Sequence, residues 1–273
     1  MADLVGITVW NFRDGSLASR IERFADMGFD AVSLCARDAC ALCRGTLGDV
    51  EAAILEHSLA VSFNAAFEDD GSPIPIDSLL SDIELYMRWH EDTGLLHSVN
   101  YEPAFLPDEG SVQDYHSTLM HHALRHVLSV SNGAGFSIGV RDWPRNKEQL
   151  EQVADLRAYP HMGIVLDLGA LNIRARRGAG QDPIFPLNSA RRYLDRINLP
   201  IHEVRVHNND GIHDLHAPPI AGTADIAALV EMLRRRGVRG ISTVDIVPSL
   251  CGLAEDEAWS AAAEALRFCR EVG

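Results

Sequence analysis

The feature that most constrains this chain is an alternation of short apolar runs, rich in β-branched residues, with longer amphipathic stretches. Eight short runs predict strands at Leu4–Trp10, Ala31–Cys35, Leu59–Phe63, Leu95–Asn100, Phe136–Val140, Met162–Leu166, Ile201–His207 and Ile241–Val247. The stretches between and after them predict helices at Ser16–Met27, Leu47–His57, Ile76–Thr93, Val112–Val130, Lys147–Tyr159, Ser189–Ile197, Ala224–Arg236 and Asp256–Glu271. Eight such pairs predict an α/β protein, a single (β/α)8 TIM barrel that spans residues 1–273 as one domain.

Charge and composition narrow the choice of partners. The chain has 24 basic and 39 acidic residues and a net charge of −15, so we expect it to repel nucleic acid and anionic membranes. No apolar run approaches the roughly 18 residues that cross a bilayer, and Met1–Gly6 does not resemble a secretion signal. Five cysteines in a chain of this size predict reduced thiols and a cytoplasmic location. The sequence leaves open whether the chain forms a homo-oligomer.

Polar residues stand at the carboxyl ends of the predicted strands, where TIM barrels carry their active sites. These residues are Trp10, Cys35, Asn64, Glu102, Arg141, Asp142, Asp167, Arg205, His207, Asp214, His216 and Asp245. Burying a charge is unfavourable unless it is paired or binds something. Several charged groups at one end of apolar strands therefore favour a pocket for a polar or anionic small molecule over isolated salt bridges.

Four segments resemble the sugar phosphate isomerase/epimerase family of xylose-isomerase-like barrels. Residues 163–169, Gly-Ile-Val-Leu-Asp-Leu-Gly, are similar to the family's sixth strand, which ends in a metal-binding Asp. Residues 204–216, Val-Arg-Val-His-Asn-Asn-Asp-Gly-Ile-His-Asp-Leu-His, resemble its seventh-strand block. Residues 240–245 resemble its last strand, which ends in an acid, and residues 138–144 resemble a fifth strand that ends in Glu-Asn-x-Pro.

The resemblance implies a reaction and a cofactor. In the family a Glu, an Asp, a His and a second Glu hold one divalent cation. The two glutamates move a proton on a carbon beside a carbonyl that the metal polarises. The resemblance therefore implies an isomerase or epimerase that uses Mn, Mg, Co or Zn.

The match is incomplete when it is carried over residue by residue. Asp167 occupies the Asp position, but the first Glu is replaced by Arg141, which cannot bind a cation. The His position falls on Arg205, or on His207 after a shift of two residues, and the final Glu is Asp245. Two further family histidines are replaced by Asn64 and Ala170. A standard four-ligand metal site is therefore not expected.

Three interpretations follow from these departures. In the first, Arg141 and Arg205 replace the metal and bind a carboxylate, phosphate or enolate oxygen. In the second, Asp214 and His216, which resemble extra ligands of the endonuclease IV branch, join Asp167 or His207 in a relocated metal site. In the third, the barrel binds a small molecule without catalysis.

The preferred prediction is proton transfer next to a carbonyl group without the usual metal site, and a lyase or dehydratase with the same enolate step is the nearest alternative. An endonuclease-like activity is disfavoured by the acidic charge. The predicted catalytic residues are Arg141, Asp142, His207 and Asp245. The predicted substrate-binding residues are Trp10, Asn64, Glu102 and Arg205. The metal candidates, for Mn, Mg, Co or Zn in a relocated site, are Asp167, Asp214 and His216.

Three weaker patterns have simpler explanations. Cys35, Cys40 and Cys43 have the spacing of some iron–sulfur ligands, but half-buried thiols are the commoner finding. His122 and His126 have a spacing that can chelate zinc, but they lie in the middle of a predicted helix. Residues 174–177 contain three arginines and predict a basic loop after the sixth strand.

Overall fold

The computed structural model describes residues 4–65, 76–101, 121–141, 156–179, 185–197 and 199–272. Within these ranges, eight parallel strands close into a barrel in the order of the sequence. The strands are β1 (Leu4–Thr8), β2 (Ala31–Cys35), β3 (Ala60–Asn64), β4 (Leu96–Tyr101), β5 (Ser137–Arg141), β6 (Met162–Asp167), β7 (Ile201–Val206) and β8 (Ile241–Val244). The predicted (β/α)8 barrel is confirmed.

Helices follow the strands on the outside of the barrel. Those with both ends described are Leu17–Met27, Ala36–Cys43, Gly48–Glu56, Ile76–Thr93, Leu168–Ala179, Phe185–Ile197, Ile226–Arg235, Pro248–Cys251 and Glu255–Val272. Residues 121–130 are also helical, and most of the helix predicted at Lys147–Tyr159 lies outside the described residues. Ser16 begins the first helix by accepting a hydrogen bond from the Ser19 N–H, and Gly28 ends it with a φ of 100°, as predicted.

Several segments differ from the prediction, among them the helix Ala36–Cys43 directly after β2, which was not predicted. The basic loop expected after β6 is the helix Leu168–Ala179, because Leu171 and Ala175 lie on one buried face whose spacing the arginines obscured. Strands β1 and β8 end at Thr8 and Val244, earlier than predicted. They end there because Thr8 and Val244 are the last positions at which the strands pair with their neighbours.

The lumen of the barrel is polar. Ser98 and Asn100 on β4 contact Glu203 on β7, and Ser33 on β2 contacts Arg205, also on β7. Neither β2 nor β4 is a neighbour of β7, so these contacts cross the inside of the barrel. The residues that pair with these positions on the neighbouring strands also point into the lumen. The buried polar residues of the lumen include Thr8, Ser33, Ser62, Ser98, Asn100, Glu203, Arg205 and Thr243.

The apolar core lies between the strands and the surrounding helices. Alternate strand residues such as Leu34, Val99 and Val140 point outward and are fully buried. TIM barrels usually fill the lumen with branched apolar side chains as well, so the polar lumen here is unusual. In the part of the chain that the structure describes, no helix is long and apolar enough to cross a membrane.

Candidate active site

Asp167, the last residue of β6, is at the centre of a charged group at the carboxyl end of the barrel. Its Oδ2 lies 2.5 Å from Nη2 of Arg141, at the end of the neighbouring strand β5. Its Oδ1 lies 2.9 Å from Nε2 of His207 and accepts a hydrogen bond from the Ala170 N–H at 2.7 Å. Burial alone would raise the pKa of Asp167, but the charges of His207 and Arg141 outweigh burial and hold that pKa well below its usual value. Asp167 is an ionised carboxylate with both oxygens engaged.

His216 stacks on His207, with ring centroids 3.9 Å apart and ring planes within 2° of parallel. Nδ1 of His216 lies 3.0 Å from the backbone oxygen of Asp245, and Nε2 lies 3.4 Å from Oδ2 of Asp214. Burial alone would lower the pKa of His216, but the neighbouring charges of Asp245 and Asp214 raise it to about 9. His216 is therefore an imidazolium at neutral pH.

Asp245 follows β8 and provides the second buried carboxylate of the group. Its Oδ1 accepts a hydrogen bond from Nδ2 of Asn11 at 3.1 Å, and its Oδ2 lies 3.5 Å from Nδ1 of His216. Burial opposes ionisation, but the charges of His216 and Arg205 prevail and lower the pKa of Asp245 to about 2. Asp245 is ionised over the whole neutral range.

Arg205 lies one layer deeper in the lumen, where its side chain is 1% exposed. Its Nε lies 2.9 Å from Oε1 of Glu203, and its Nη2 donates to Oγ of Ser33 at 3.1 Å. The guanidinium carbon is 5.8 Å from the ring centroid of Trp10. Arg205 is thus ion-paired and shielded from solvent.

Residues 207–224 form a loop that carries His216 and is fixed by buried asparagines. Asn208 exchanges two backbone hydrogen bonds with Ala217, each 2.9 Å long. Gly222 packs so closely that an added Cβ would lie 2.4 Å from Oδ1 of Asn208. The φ of His216 is 45°, which is uncommon for a residue other than glycine. The loop therefore holds His216 in a backbone conformation that costs free energy.

Close packing also fixes His207. An added Cβ at Gly169 would lie 2.1 Å from Cε1 of the His207 ring. The backbone oxygen of Gly169 accepts a hydrogen bond from Asn209 at 2.9 Å. The glycine of the sixth-strand motif is therefore needed to make room for the imidazole.

The family's four-ligand metal site does not fit these residues. The sequence resemblance assigns Arg141 to the position of the first Glu, and in the structure Asp167 contacts Arg141 and His207 through its two oxygens. A cation placed there would face a guanidinium at close range. A different set, His207, Asp214 and His216, has ligand atoms within 4.8 Å of one another. Imidazole and carboxylate ligands suit a divalent metal, which would require His216 to lose its proton.

The structure brings together most of the predicted site residues. The residues that meet are Arg141, Asp167, Arg205, His207, Asp214, His216 and Asp245. Trp10 and Asn64 are half-buried at the ends of β1 and β3, whereas Glu102 and Asp142 lie outside the described residues. Sequence reasoning missed Glu203, although its position two residues before Arg205 places both side chains on one strand face.

The other predicted clusters do not form comparable sites. Cys35, Cys40 and Cys43 are free and half-buried, and within the described residues they do not belong to a group of converging metal ligands. Burial raises the pKa of the Cys35 thiol to about 11, so it is protonated at neutral pH. His122 and His126 are exposed on the helical segment 121–130.

Comparison with known proteins identifies the fold. No protein-family profile and no curated protein sequence matches the chain. The 3-keto-D-glucoside 4-epimerase from E. coli, in its apo form, has a TM-score of 0.68 and 18% identity, over 98% of this chain and 99% of that chain. A xylose isomerase domain protein from Alicyclobacillus acidocaldarius has a TM-score of 0.69 and 16% identity, over 98% and 99% of the two chains. The chain has the xylose-isomerase-like barrel fold.

The same fold also serves other chemistry. The AP endonuclease, family 2, from Brucella melitensis has a TM-score of 0.65 and 16% identity, over 94% of this chain and 98% of that chain. The likeness that the motifs of the sequence predicted is confirmed at the level of the fold. Because unrelated activities share a fold, the reaction has to be argued from the residues of the site.

Proposed function

We propose that this xylose-isomerase-like barrel is an enzyme of the isomerase or epimerase type that acts on a small polyhydroxylated substrate. The observation that carries the proposal is the buried charged group of Arg141, Asp167, His207, His216 and Asp245 at the ends of adjacent strands. Burying so many charges is unfavourable, and the carboxyl end of a barrel is where substrates react. The epimerase and isomerase-domain names of two similar structures support this class of reaction.

Asp245 is the proposed base. Its ionised carboxylate takes a proton from the carbon next to the substrate carbonyl, and the electron pair moves onto the carbonyl oxygen. The positive charges of Arg141 and His216 stabilise the resulting enediolate oxygen. An epimer forms when a second acid, for which His207 and Asp142 are the predicted candidates, delivers a proton to the opposite face of the same carbon. An isomer forms when Asp245 returns its proton to the neighbouring carbon and the hydroxyl proton of that carbon moves to the first oxygen. A dehydratase would share the first step and then expel a hydroxyl group.

The remaining predicted residues have supporting roles in this proposal. Trp10 and Asn64 contact the substrate from the opposite side of the mouth. Glu102 is proposed to bind substrate, and Asp142 is proposed to take part in acid–base chemistry. Arg205 was also predicted to bind substrate, but a buried side chain paired with Glu203 is better suited to support Asp245 from below.

A metal-assisted form of the reaction is the second candidate. The convergence of His207, Asp214 and His216 favours it. A divalent Mn, Mg, Co or Zn ion bound there would supply the positive charge that His216 supplies in the first form. Metal analysis of the purified protein and of the His216→Gln variant distinguishes the two forms. Stoichiometric metal that the variant loses supports the second, and full exchange activity without metal supports the first.

The reaction itself is tested by exchange of substrate hydrogen with solvent deuterium. Ketoses and keto-glycosides are incubated with the protein in D₂O and followed by proton NMR. We expect exchange at one carbon next to the carbonyl. In Asp245→Asn we expect kcat to fall at least about 100-fold, because the amide cannot take the proton.

The matched control is Asp256→Asn, which makes the same chemical change at an exposed residue of the helix Glu255–Val272. We expect its kcat to equal that of the wild type. Absence of exchange across the whole panel, or equal kcat in Asp245→Asn and the wild type, would contradict the proposed function.

A further inference from the structure

A buried ion pair lies directly beneath the proposed site. Glu203 and Arg205 occupy the same face of β7, and their side chains are 0% and 1% exposed. Branched apolar side chains usually fill this layer of a TIM barrel. A buried ion pair often contributes less to stability than apolar residues of the same size, so stability alone does not explain its presence.

Contacts across the lumen hold each partner in place. Oε2 of Glu203 accepts a hydrogen bond from Nδ2 of Asn100 at 2.6 Å, and Nη2 of Arg205 donates to Ser33 at 3.1 Å. Asn100 and Ser33 belong to β4 and β2, on the far side of the barrel from β7. The guanidinium is therefore held by an ion pair at Nε, which makes no hydrogen bond among the described residues, and by a hydrogen bond at Nη2.

The upper end of Arg205 faces the proposed base. Its Nη1 lies 3.9 Å from Oδ2 of Asp245, and among the described residues this nitrogen has no hydrogen-bond partner. Asn11 binds the other oxygen of the same carboxylate at 3.1 Å. Asp245 is thus held by an amide at one oxygen and faces a cation at the other.

We propose that Glu203 and Arg205 are positioning residues: Glu203 fixes the guanidinium, and the guanidinium holds the Asp245 carboxylate in the orientation that proton transfer from carbon requires. The inference rests on the proposed function of Asp245 as the base. The expected effect is on the rate of proton transfer, because displacing a reacting group by about 1 Å lowers the rate on the order of 100-fold.

A double-variant cycle separates positioning from stability. The single variants Glu203→Gln and Arg205→Met each leave one buried charge without its partner, and we expect each to lower the melting temperature by roughly 10 °C. The double variant removes both charges of the pair, so its melting temperature should lie above those of both single variants and below that of the wild type, because Asp245 has still lost the charge of Arg205. Its kcat for deuterium exchange should nevertheless stay at least about 10-fold below the wild-type value, with KM unchanged, because Asp245 has lost its support.

A milder variant covers the case in which these proteins do not fold. Ser33→Ala removes the hydrogen bond to Nη2 of Arg205 and leaves the ion pair in place. We expect a melting temperature lowered by a few degrees, because a buried guanidinium N–H loses its acceptor, and a kcat lowered about threefold with KM unchanged. The matched control for the ion pair is the exposed pair of Glu231 and Arg235. Glu231→Gln, Arg235→Met and their double variant should change neither the melting temperature nor kcat.

The outcomes are distinct. Full kcat in the double variant, or in Ser33→Ala if the others do not fold, overturns the positioning role and leaves the proposed function intact. A loss of exchange that appears as a raised KM with unchanged kcat also overturns it, since the pair would then act on substrate binding. Absence of exchange by the wild type overturns both proposals together.

Discussion

The two sides of the barrel mouth differ in charge. The neutral side, at the ends of β1 to β3, presents Trp10, Cys35 and Asn64, all of them half-buried. The charged side, at the ends of β5 to β8 and in the loop that follows β7, consists of Arg141, Asp167, His207, His216 and Asp245. All eight strands are parallel, so this difference comes from the side chains at their ends and from the loop after β7. We propose that the charged side performs the chemistry and that the neutral side shapes the space for the substrate.

The largest effect should come from removing the central carboxylate. Asp167→Asn leaves the Arg141 guanidinium without its counter-charge and His207 without its carboxylate partner. We expect the free energy of unfolding to fall by about 3 kcal/mol, measured by urea denaturation at pH 7. A loss no greater than that of the exposed Asp195→Asn would show that the charged side is not held together by Asp167.

The pH dependence of stability should report on His216. Its pKa is raised from 6.5 to about 9 in the folded state, so its contribution is complete below pH 6.5 and is lost as the pH rises through 9. The shift corresponds to about 3 kcal/mol at most. Urea denaturation at pH 6.5 and pH 9.5 measures the loss. In His216→Gln the free energy of unfolding should change little between pH 6.5 and pH 9.5, whereas the exposed control His122→Gln should keep the wild-type pH dependence. If His216→Gln loses as much stability over this range as the wild type, the pH dependence belongs to other groups.

A smaller effect is expected at Gly169. In Gly169→Ala the added methyl group would overlap the His207 ring, so the imidazole must shift away from Asp167. We expect a loss of about 2 kcal/mol in the free energy of unfolding and reduced deuterium exchange. The control is Gly48→Ala, because an added Cβ there would meet nothing within 4 Å and the φ of Gly48 is not in the left-handed region. Wild-type activity in Gly169→Ala would mean that the position of His207 is not critical.

The smallest effect belongs to the neutral side. Asn64→Ala should raise KM for the exchanged substrate severalfold while kcat changes less than about twofold, because Asn64 is proposed to contact the substrate without taking part in proton transfer. Steady-state kinetics by NMR measures both values. A loss of kcat as large as that in Asp245→Asn would remove the distinction between the two sides.

Local patterns explain why the architecture could be predicted from sequence. The alternation of strand and helix periodicities is a property of neighbouring residues, and the strand ends placed Arg141, Asp167 and Asp245 at the mouth. The helix Leu168–Ala179 was missed because its arginines and glycines resemble a loop, whereas the burial of Leu171 and Ala175 depends on packing against the barrel.

Contacts across the barrel explain why the rest could not be predicted. Glu203 gains its importance from Asn100 on the opposite wall, 103 residues away in the chain. The stacking of His216 on His207 depends on how the loop folds back through Asn208 and Ala217. Neither arrangement has a signature in local spacing, so the identity of the paired residues required the structure.

The polar lumen has a consequence for engineering this scaffold. Along each strand, successive side chains alternate between the apolar core outside the barrel and the polar lumen inside it. Leu34 and Ser33 illustrate the division: they are adjacent in sequence, yet one packs under a helix and the other binds Arg205. Substitutions at outward-facing positions are therefore expected to change stability alone, whereas substitutions at inward-facing positions such as Glu203 are expected to change both stability and the proposed site above them.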